Sequence, residues 1–324
     1  MSEAIVIREY GGAEVLVSET VAVDAPGPGE IRLRQTAVGV NYHDVYVRSG
    51  LYKTLSLPGV PGCEAAGVVD AVGAGVDQVS VGDRVAYVTA AYGAYASHRL
   101  LDAGLAVRLP DSVSDATAAS NLLRAMTVDM LVRQVFAVRA DHTVLVHAAV
   151  GGVGRLLCQW ASHLGARVIG TVGSAEKADQ ARACGCDETV LYREQDFTEA
   201  VAALTDGAGV DAVFDSVGAD TFSGSLDVLK PCGHLINFGQ SSGAVDPLLM
   251  TTLAAKSLTV SRPILFHYCA DANRYQAMAE AALAAFSDGV LDTATSQPYA
   301  LRDAAQAHGQ LESGTGGGAI VLVP

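Results

Sequence analysis

A glycine-rich turn between an apolar segment and a helical one carries the clearest chemistry in this sequence. It reads Val144-Leu145-Val146-His147-Ala148-Ala149-Val150-Gly151-Gly152-Val153-Gly154. Against the pattern GxGxxG, Ala149 replaces the first glycine, while Gly151 and Gly154 are kept. Gly151 and Gly152 would let a pyrophosphate approach the backbone, and the helix that starts at Gly152 and Val153 offers free N–H groups. Because strands and helices alternate after this turn, we predict a dinucleotide site and not a plain strand-to-helix connection.

The end of the next predicted strand discriminates between the two nicotinamide dinucleotides. About 20 residues past the glycine turn, NAD sites carry an acidic residue that binds the ribose 2′-hydroxyl. This sequence has Gly173-Ser174-Ala175-Glu176-Lys177 there. A hydroxyl donor at Ser174 and a cation at Lys177 suit a 2′-phosphate instead, although Glu176 counts slightly against it. We therefore predict that Gly173, Ser174 and Lys177 contact a phosphorylated dinucleotide, while a solvated charge remains the alternative for Lys177.

Further candidates follow the later strands, because ligands of such sheets bind beyond the carboxyl ends of the strands. Arg193 ends the third strand and would add a second cation in a chain of net charge −14. Small residues after the fourth and fifth strands would let a nicotinamide lie against the backbone, although ordinary turn chemistry explains them equally well. The predicted cofactor contacts in these segments are Tyr192, Arg193, Ser216, Phe238, Gly239 and Ser241.

The elements that position these residues divide the chain into a β-rich part and an alternating part. Short β-branched runs with frequent turns in the first ~120 residues are typical of a barrel-like or partly open β domain. Ser114 is predicted to cap a helix through Ala118–Leu123, and Thr127–Val138 is predicted as a separate helix. Strands that are apolar throughout then alternate with helices, which predicts a parallel sheet covered on both faces. The final run, Ala319–Val323, is expected to complete the β-rich domain. The predicted domains are residues 1–123 completed by 265–324, and residues 124–264.

The composition fits a globular protein of two domains. The chain has 324 residues, of which 50% are hydrophobic and 17% charged. The net charge of −14 disfavours nucleic acid and anionic membranes as general partners. Six cysteines without a CxxC pair are expected of a reducing compartment. With no secretory signal and no apolar stretch long enough to cross a membrane, we expect a cytoplasmic protein.

Several segments together resemble the zeta-crystallin-like NADPH:quinone oxidoreductases, a zinc-free branch of the medium-chain, alcohol dehydrogenase-like superfamily. They are Gly39-Val40-Asn41-Tyr42-His43-Asp44, Arg48-Ser49-Gly50-Leu51-Tyr52, Glu64-Ala65-Ala66-Gly67-Val68-Val69, Val81-Gly82-Asp83-Arg84-Val85, the glycine turn, and Phe238-Gly239-Gln240-Ser241-Ser242-Gly243. The resemblance covers essentially the whole chain. It implies an α/β protein with a GroES-like β-rich catalytic domain, a Rossmann domain with a doubly wound parallel sheet, and a cofactor cleft between them. It also implies NADPH and, commonly, a homodimer.

The resemblance further implies which residues surround the nicotinamide and the acceptor. They are Asn41, Asp44, Tyr46, Tyr52 and Thr127. Asn41 would hydrogen-bond the carboxamide or the acceptor oxygen. Tyr46 and Tyr52 are candidate phenol donors to a developing quinol or enolate oxygen, although packing tyrosines are nearly as common in such a loop. We therefore predict Asn41, Tyr46 and Tyr52 as catalytic residues, and Asn41, Asp44 and Thr127 as cofactor contacts.

The wider superfamily includes zinc-dependent alcohol dehydrogenases, so a metal site must be considered. Asn41 stands where the resemblance implies a catalytic cysteine, and Cys63 stands in place of a histidine. Val85–Ser97 contains no cysteine, so the four-cysteine structural zinc lobe is missing. A residual metal site at Cys63 with Glu64 and His43 is an alternative, but a small buried thiol is the more ordinary interpretation. We predict no metal.

Without a metal, the expected acceptors are molecules that take up a hydride or electrons unaided. The leading prediction is an enzyme that reduces quinones with NADPH, and the first alternative is an enone or alkenal double-bond reductase. A cofactor-binding protein with little catalysis is the third possibility, and the acidic charge counts against RNA binding. No sequence feature decides between one- and two-electron transfer. Met130, where relatives tend to have an aromatic residue, and Gly314–Gly318, which lacks a cation, bear on the acceptor pocket and on affinity.

Overall fold

Two large β-sheets of different character organise the chain, which a computed structural model describes over residues 1–292, 298–314 and 318–324. The strands are β1 (Ser2–Val6), β2 (Val17–Val21), β3 (Glu30–Val40), β4 (Glu64–Val72), β5 (Arg84–Val88), β6 (His98–Asp102), β7 (Val107–Arg108), β8 (Thr143–Val146), β9 (Arg167–Val172), β10 (Glu188–Leu191), β11 (Val210–Asp215), β12 (Leu229–Asn237), β13 (Thr259–Ser261), β14 (Pro298–Ala300) and β15 (Ile320–Val323). The α-helices are α1 (Tyr42–Arg48), α2 (Asp115–Asp129), α3 (Gly152–His163), α4 (Ala175–Ala183), α5 (Phe197–Leu204), α6 (Phe222–Asp227), α7 (Met250–Ala254), α8 (Leu265–Tyr268), α9 (Ala272–Ser287) and α10 (Ala304–Ser313). Within the described ranges, no helix combines the length and the apolar character needed to cross a membrane.

The chain folds as two units. Unit 1 comprises Met1–Met126 and Tyr268–Pro324, and unit 2 comprises Thr127–His267. The sequence pattern places these boundaries at 123/124 and 264/265, whereas the structure has them at 126/127 and 267/268.

Unit 1 is built on a seven-stranded sheet in the order β14-β15-β3-β4-β5-β7, with β6 also paired to β3. Its strands pair antiparallel, except that β14 and β15 are parallel. Alternate residues of β3, among them Ile31 and Leu33, point into the apolar core, as expected when one face of a sheet is buried. The last strand, β15, joins this sheet with Ile320 opposite Val40, where its sequence pattern places it.

Unit 2 contains a six-stranded sheet in the order β10-β9-β8-β11-β12-β13, and every pairing in it is parallel. Leu145, Ile169, Val213 and Leu235 lie in its core because helices cover both faces of the sheet. The chain moves outward in one direction from β8 to β10 and in the other from β11 to β13. The strand order therefore reverses between β8 and β11, and such a reversal creates a crevice at the carboxyl ends of the strands.

Helix α2 differs from its prediction. Ser114 caps it as expected, since its Oγ accepts a hydrogen bond from the N–H of Thr117 at 3.1 Å. The helix then runs to Asp129 without the predicted break and continues as a π-helical turn over Met130–Val135. No glycine or proline occurs between residues 115 and 135, so nothing in the local sequence ends the helix.

Candidate functional site

The predicted dinucleotide turn lies between β8 and α3, where the strand order reverses. Gly151 precedes the helix in an extended conformation, and both Gly151 and Gly152 are exposed. A Cβ on Gly154 would lie 2.2 Å from the carbonyl oxygen of Ala148, so only glycine lets α3 pass the end of the strand this closely. Val153 is in the first helical turn, whose N–H groups have no carbonyl partner within the helix. The turn can therefore present backbone donors to an anion.

The predicted 2′-phosphate residues meet at the carboxyl ends of β9 and β10. A Cβ on Gly173 would lie 3.1 Å from the Tyr192 Oη and 3.3 Å from the Arg193 Nε, so these three residues adjoin. Ser174 caps α4, because its Oγ accepts a hydrogen bond from the backbone N–H of Lys177 at 3.3 Å. Lys177, Tyr192 and Arg193 are exposed. Over the described residues neither Lys177 nor Arg193 forms an ion pair, so both cations are available to a ligand.

The other predicted residues of unit 2 adjoin one another at the ends of β11 and β12. A Cβ on Gly239 would lie 2.5 Å from the carbonyl oxygen of Ser216. The N–H of Ser241 donates to the same oxygen at 3.3 Å, and the N–H of Phe238 donates to the backbone oxygen of Asp215 at 2.8 Å. The glycine at 239 is therefore required for the two strand ends to approach.

Asp215 organises this corner and is absent from the sequence prediction. Its buried Oδ1 accepts hydrogen bonds from the N–H of Val217 at 2.8 Å, the N–H of Gly218 at 3.1 Å and the Oγ1 of Thr221 at 2.9 Å. The carboxylate thus fixes the loop that contains Ser216. An aspartate at the carboxyl end of β11, directly before the small residues of the loop, is the sequence signal that points to it. Thr127, the remaining predicted contact, lies on α2 at the first residue of unit 2.

In unit 1 the predicted tyrosines belong to an aromatic cluster around α1. The ring centroids of Tyr46 and Tyr52 are 5.1 Å apart, and both rings are half-buried. His43 lies 5.6 Å from the Tyr52 ring and stacks on Tyr92, whose Oη is 3.2 Å from the His43 Nε2. Burial lowers the pKa of His43 to about 4, so the imidazole is neutral at pH 7. His43 and Tyr92 are additions to the prediction, and Tyr92 has no local signal because the fold brings it from a distant loop.

Asp44 caps α1 from inside the protein. Its Oδ2 accepts a hydrogen bond from the N–H of Asn41 at 2.8 Å and from the Oη of Tyr95 at 3.2 Å, and the N–H of Asp44 donates to the carbonyl oxygen of Asn41 at 2.9 Å. This pairing stabilises a seven-residue helix of mostly aromatic and β-branched residues, which the local sequence does not predict. The side chain is fully buried, and burial raises its pKa to about 7. The carboxylate faces the core of unit 1. We therefore keep the predicted cofactor contact of Asp44 only for its backbone atoms.

Asn41 is the centre of a second buried network. Its Nδ2 donates to the Oε1 of Glu64 at 2.6 Å, and its Oδ1 accepts from the Nε of Arg124 at 3.3 Å. The other oxygen of Glu64 accepts from the N–H of Leu123 at 2.8 Å. Burial raises the pKa of Glu64 to about 7 and lowers the pKa of Arg124. Gly39 permits this packing, since a Cβ there would lie 2.7 Å from the Glu64 Oε1.

The residues around Asn41 do not fit a zinc ion. Over the described residues, no group of three histidine, cysteine or acidic side chains is placed to hold a metal. Cys63 is buried, and burial together with Asp44 and Glu64 raises its thiol pKa well above the ordinary value, so the thiolate needed for zinc is disfavoured. Both oxygens of Glu64 are already bonded, and the Arg124 guanidinium supplies positive charge beside them.

Comparisons with known proteins place these sites in a family. The family described as "Alcohol dehydrogenase GroES-like domain" matches residues 27–111, and "Zinc-binding dehydrogenase" matches residues 152–284. A quinone oxidoreductase from Pseudomonas aeruginosa is 42% identical over 100% of both chains, and a 2-haloacrylate reductase from Burkholderia sp. is 41% identical over 100% of this chain and 99% of its own. The solved structure of Escherichia coli quinone oxidoreductase complexed with NADPH is 41% identical over 100% of both chains, with a TM-score of 0.95. The predicted fold class, a GroES-like β-rich domain with a Rossmann domain, is confirmed. The chain therefore belongs to the quinone oxidoreductase family within the alcohol dehydrogenase-like, medium-chain superfamily.

Proposed function

We propose that this protein is an enzyme that reduces quinones with NADPH and without a metal. The observation that carries the proposal is the pair of exposed cations, Lys177 and Arg193, beside Ser174 and Gly173 at the ends of β9 and β10. An acidic chain with two cations at this corner, neither of them in an ion pair with any described residue, suits a 2′-phosphate better than a 2′-hydroxyl. The choice of a quinone is supported by the full-length relatives that are quinone oxidoreductases.

NADPH would supply a hydride, and with one proton the reaction converts a quinone and NADPH into a quinol and NADP⁺. The N–H groups at the start of α3 would bind the pyrophosphate, with Gly151, Gly152 and Val153 forming the turn. The segments that hold Ser216, Phe238, Gly239 and Ser241, together with Thr127, would support the nicotinamide half. Close approach of the two strand ends at Gly239, with the small side chains of Ser216 and Ser241 beside it, supports this role.

The proton that balances the reaction requires a donor near the acceptor oxygen. Tyr46 and Tyr52 are the candidates, since their rings adjoin and a neutral phenol can donate to an oxygen that gains negative charge. His43 is neutral at pH 7 and stacks on Tyr92, so we assign it to the wall of the acceptor pocket. Tyrosine and histidine rings together suit a planar acceptor.

Reduction of an electron-poor carbon–carbon double bond is the second candidate, and the similarity to a 2-haloacrylate reductase favours it over other activities. The same hydride supply serves both reactions, because conjugate addition also needs no Lewis acid. A protein that binds the cofactor with little catalysis is the third.

One assay separates the three candidates. NADPH oxidation is measured by absorbance with 1,4-benzoquinone, a naphthoquinone, 2-chloroacrylate and a simple enone, each with and without EDTA. We expect turnover of the quinones, unaffected by the chelator. Turnover of the haloacrylate or the enone alone would transfer the assignment to double-bond reduction. Tight NADPH binding without turnover of any acceptor would support the third candidate, a protein that binds the cofactor with little catalysis.

We also propose that the protein is a cytoplasmic homodimer. The family resemblance supports the homodimer, and six cysteines without a CxxC pair support a reducing compartment such as the cytoplasm. Sedimentation velocity at micromolar concentration should give twice the mass of the chain, and a monomer would contradict the proposal.

A further inference from the structure

Three polar side chains form an enclosed cluster that cofactor binding alone does not require. We call Asn41, Glu64 and Arg124 the Asn41 cluster. Their exposed fractions are 4%, 0% and 7%, and all three lie in unit 1. A core without a task for this amide would be about as stable with apolar side chains at the same positions, because burying charged groups costs about as much as their mutual attraction returns. The cluster therefore calls for a role beyond packing.

The Arg124 guanidinium allows the Asn41 amide one orientation only. A guanidinium has donors and no acceptor, so the atom 3.3 Å from the Arg124 Nε must be the amide oxygen. The amide nitrogen is therefore the atom 2.6 Å from the Glu64 Oε1, to which it donates. A flipped amide would place its nitrogen, a donor, against the donor of Arg124. One N–H of Nδ2 is left over after these bonds are made.

Both partners are themselves fixed. The second oxygen of Glu64 is bonded to the Leu123 N–H at 2.8 Å, and the Arg124 Nη2 donates to the carbonyl oxygen of Val40 at 3.2 Å. Val40 ends β3 and Asn41 follows it. Arg124 therefore donates hydrogen bonds to the backbone of one residue and to the side chain of the next. The amide is consequently held from two sides by groups that cannot reorient without breaking a buried hydrogen bond.

We propose that Glu64 and Arg124 are positioning residues for Asn41: they hold the amide so that its remaining N–H binds the carbonyl oxygen that the family resemblance assigns to Asn41. The inference rests on the proposed function. The oxygen belongs either to the carboxamide of NADPH or to the quinone, and both are the same chemistry for an N–H donor. A donor held in advance in a dry site costs no reorganisation when charge develops on that oxygen.

A pair of substitutions that reverses the direction of the hydrogen bond between residues 41 and 64 distinguishes this positioning role from a purely structural one. Asn41→Asp alone sets two carboxylates against each other and should lower the thermal unfolding midpoint. In the double variant Asn41→Asp/Glu64→Gln, the new glutamine can donate to the new aspartate through Nε2 and accept from the Leu123 N–H through Oε1. The midpoint should return close to that of the wild type, but the N–H for the ligand is gone. We therefore expect a loss of about 10- to 100-fold in function despite the restored fold.

Two measurements identify the oxygen. The NADPH dissociation constant is obtained by fluorescence titration without an acceptor, and kcat and KM are obtained with a naphthoquinone at saturating NADPH. If the NADPH dissociation constant rises, the N–H binds the carboxamide. If kcat/KM falls while NADPH binding is unchanged, the N–H binds the quinone. Glu64→Gln and Arg124→Lys should each impair the same parameter as the double variant, because they free the amide to reorient.

The control is Arg84→Lys, which makes the same exchange at the ion pair with Asp115 in unit 1 and should change neither parameter. Wild-type binding and kinetics in the double variant would overturn the proposal. So would an impairment by Glu64→Gln and Arg124→Lys in the other parameter only. If the wild type binds NADPH but reduces no quinone, the proposed function fails by itself, while the titration still tests the Asn41 amide.

Discussion

Replacing Glu64 by glutamine should change how the stability of unit 1 depends on pH. Burial, assisted by the neighbouring Asp44, raises the pKa of Glu64 from 4.5 to about 7. Below pH 4.5 the carboxyl group is protonated in both the folded and the unfolded chain, so its burial carries no charge penalty. As the pH rises toward 7, the unfolded chain has already released this proton, while the folded chain must either keep it or bury a charge. The folded state therefore loses stability through this interval.

The size of the effect follows from the interval between the two pKa values, 4.5 and about 7. At about 1.4 kcal/mol for each pH unit, the wild type should lose about 3 kcal/mol through this group. Glutamine does not titrate, so the variant lacks this loss. Its free energy of unfolding is instead lower by a pH-independent amount of about 1–3 kcal/mol. The reason is that one of the two buried N–H groups that bonded to Glu64 then faces the amide nitrogen of the glutamine. The difference in the free energy of unfolding between wild type and Glu64→Gln should shift by about 3 kcal/mol, in favour of the variant, between about pH 4.5 and pH 8.

Urea denaturation at half-unit pH intervals measures this difference. Near-UV circular dichroism follows the buried tyrosines of unit 1, Tyr87, Tyr95 and Tyr275, while fluorescence of Trp160, the single tryptophan, follows unit 2. Asp70→Asn is the matched control, since it removes a partly exposed carboxylate from the same strand, β4. A difference that stays constant within about 1 kcal/mol over the range, or an equal shift in the control, would refute the reasoning.

Three further predictions concern the proposed function. Lys177→Ala should weaken NADPH binding by about 10- to 100-fold and NADH binding by less than about twofold, because only NADPH has a 2′-phosphate; equal losses in a titration would show that Lys177 does not contact it. Gly154→Ala should weaken both nucleotides alike, since its Cβ would meet the Ala148 oxygen at 2.2 Å, whereas Gly309→Ala, with open space around it in α10, should leave binding unchanged. Tyr52→Phe should lower kcat for quinones about 10- to 100-fold at unchanged NADPH affinity, and an unaltered kcat would remove Tyr52 as the proton donor.

Features encoded in short segments are the ones that the sequence predicts well. The glycine turn and the strand–helix alternation each depend on residues within one segment, and the structure has a parallel sheet that reverses its strand order beside that turn. Helix α1 escapes prediction because a buried carboxylate, Asp44, stabilises it and not the helix propensity of its residues.

The network around Asn41 could not be predicted for a different reason. Glu64 lies 23 positions and Arg124 83 positions away from Asn41 along the chain. The pairing of β3 with β4 brings Glu64 into place, and the packing of α2 brings Arg124. A residue pattern within one segment does not show which distant residues strand pairing and helix packing will bring next to it. The prediction for Gly314–Gly318 falls in part on residues 315–317, which lie outside the described residues.

The cap of α4 allows the nucleotide preference to change without loss of the fold. Ser174 accepts a hydrogen bond from the Lys177 N–H through its oxygen, which leaves its own hydroxyl proton free to donate to a ligand. Aspartate caps helices as well as serine does, but its carboxylate only accepts hydrogen bonds. It would therefore repel the 2′-phosphate of NADPH and accept a hydrogen bond from the ribose 2′-hydroxyl of NADH. Ser174→Asp should therefore lower the ratio of NADPH to NADH affinity while the unfolding midpoint stays constant. One side chain thus caps the helix and, in the proposed function, also contacts the ligand, so a single substitution there would be enough for an evolutionary step between two cofactors.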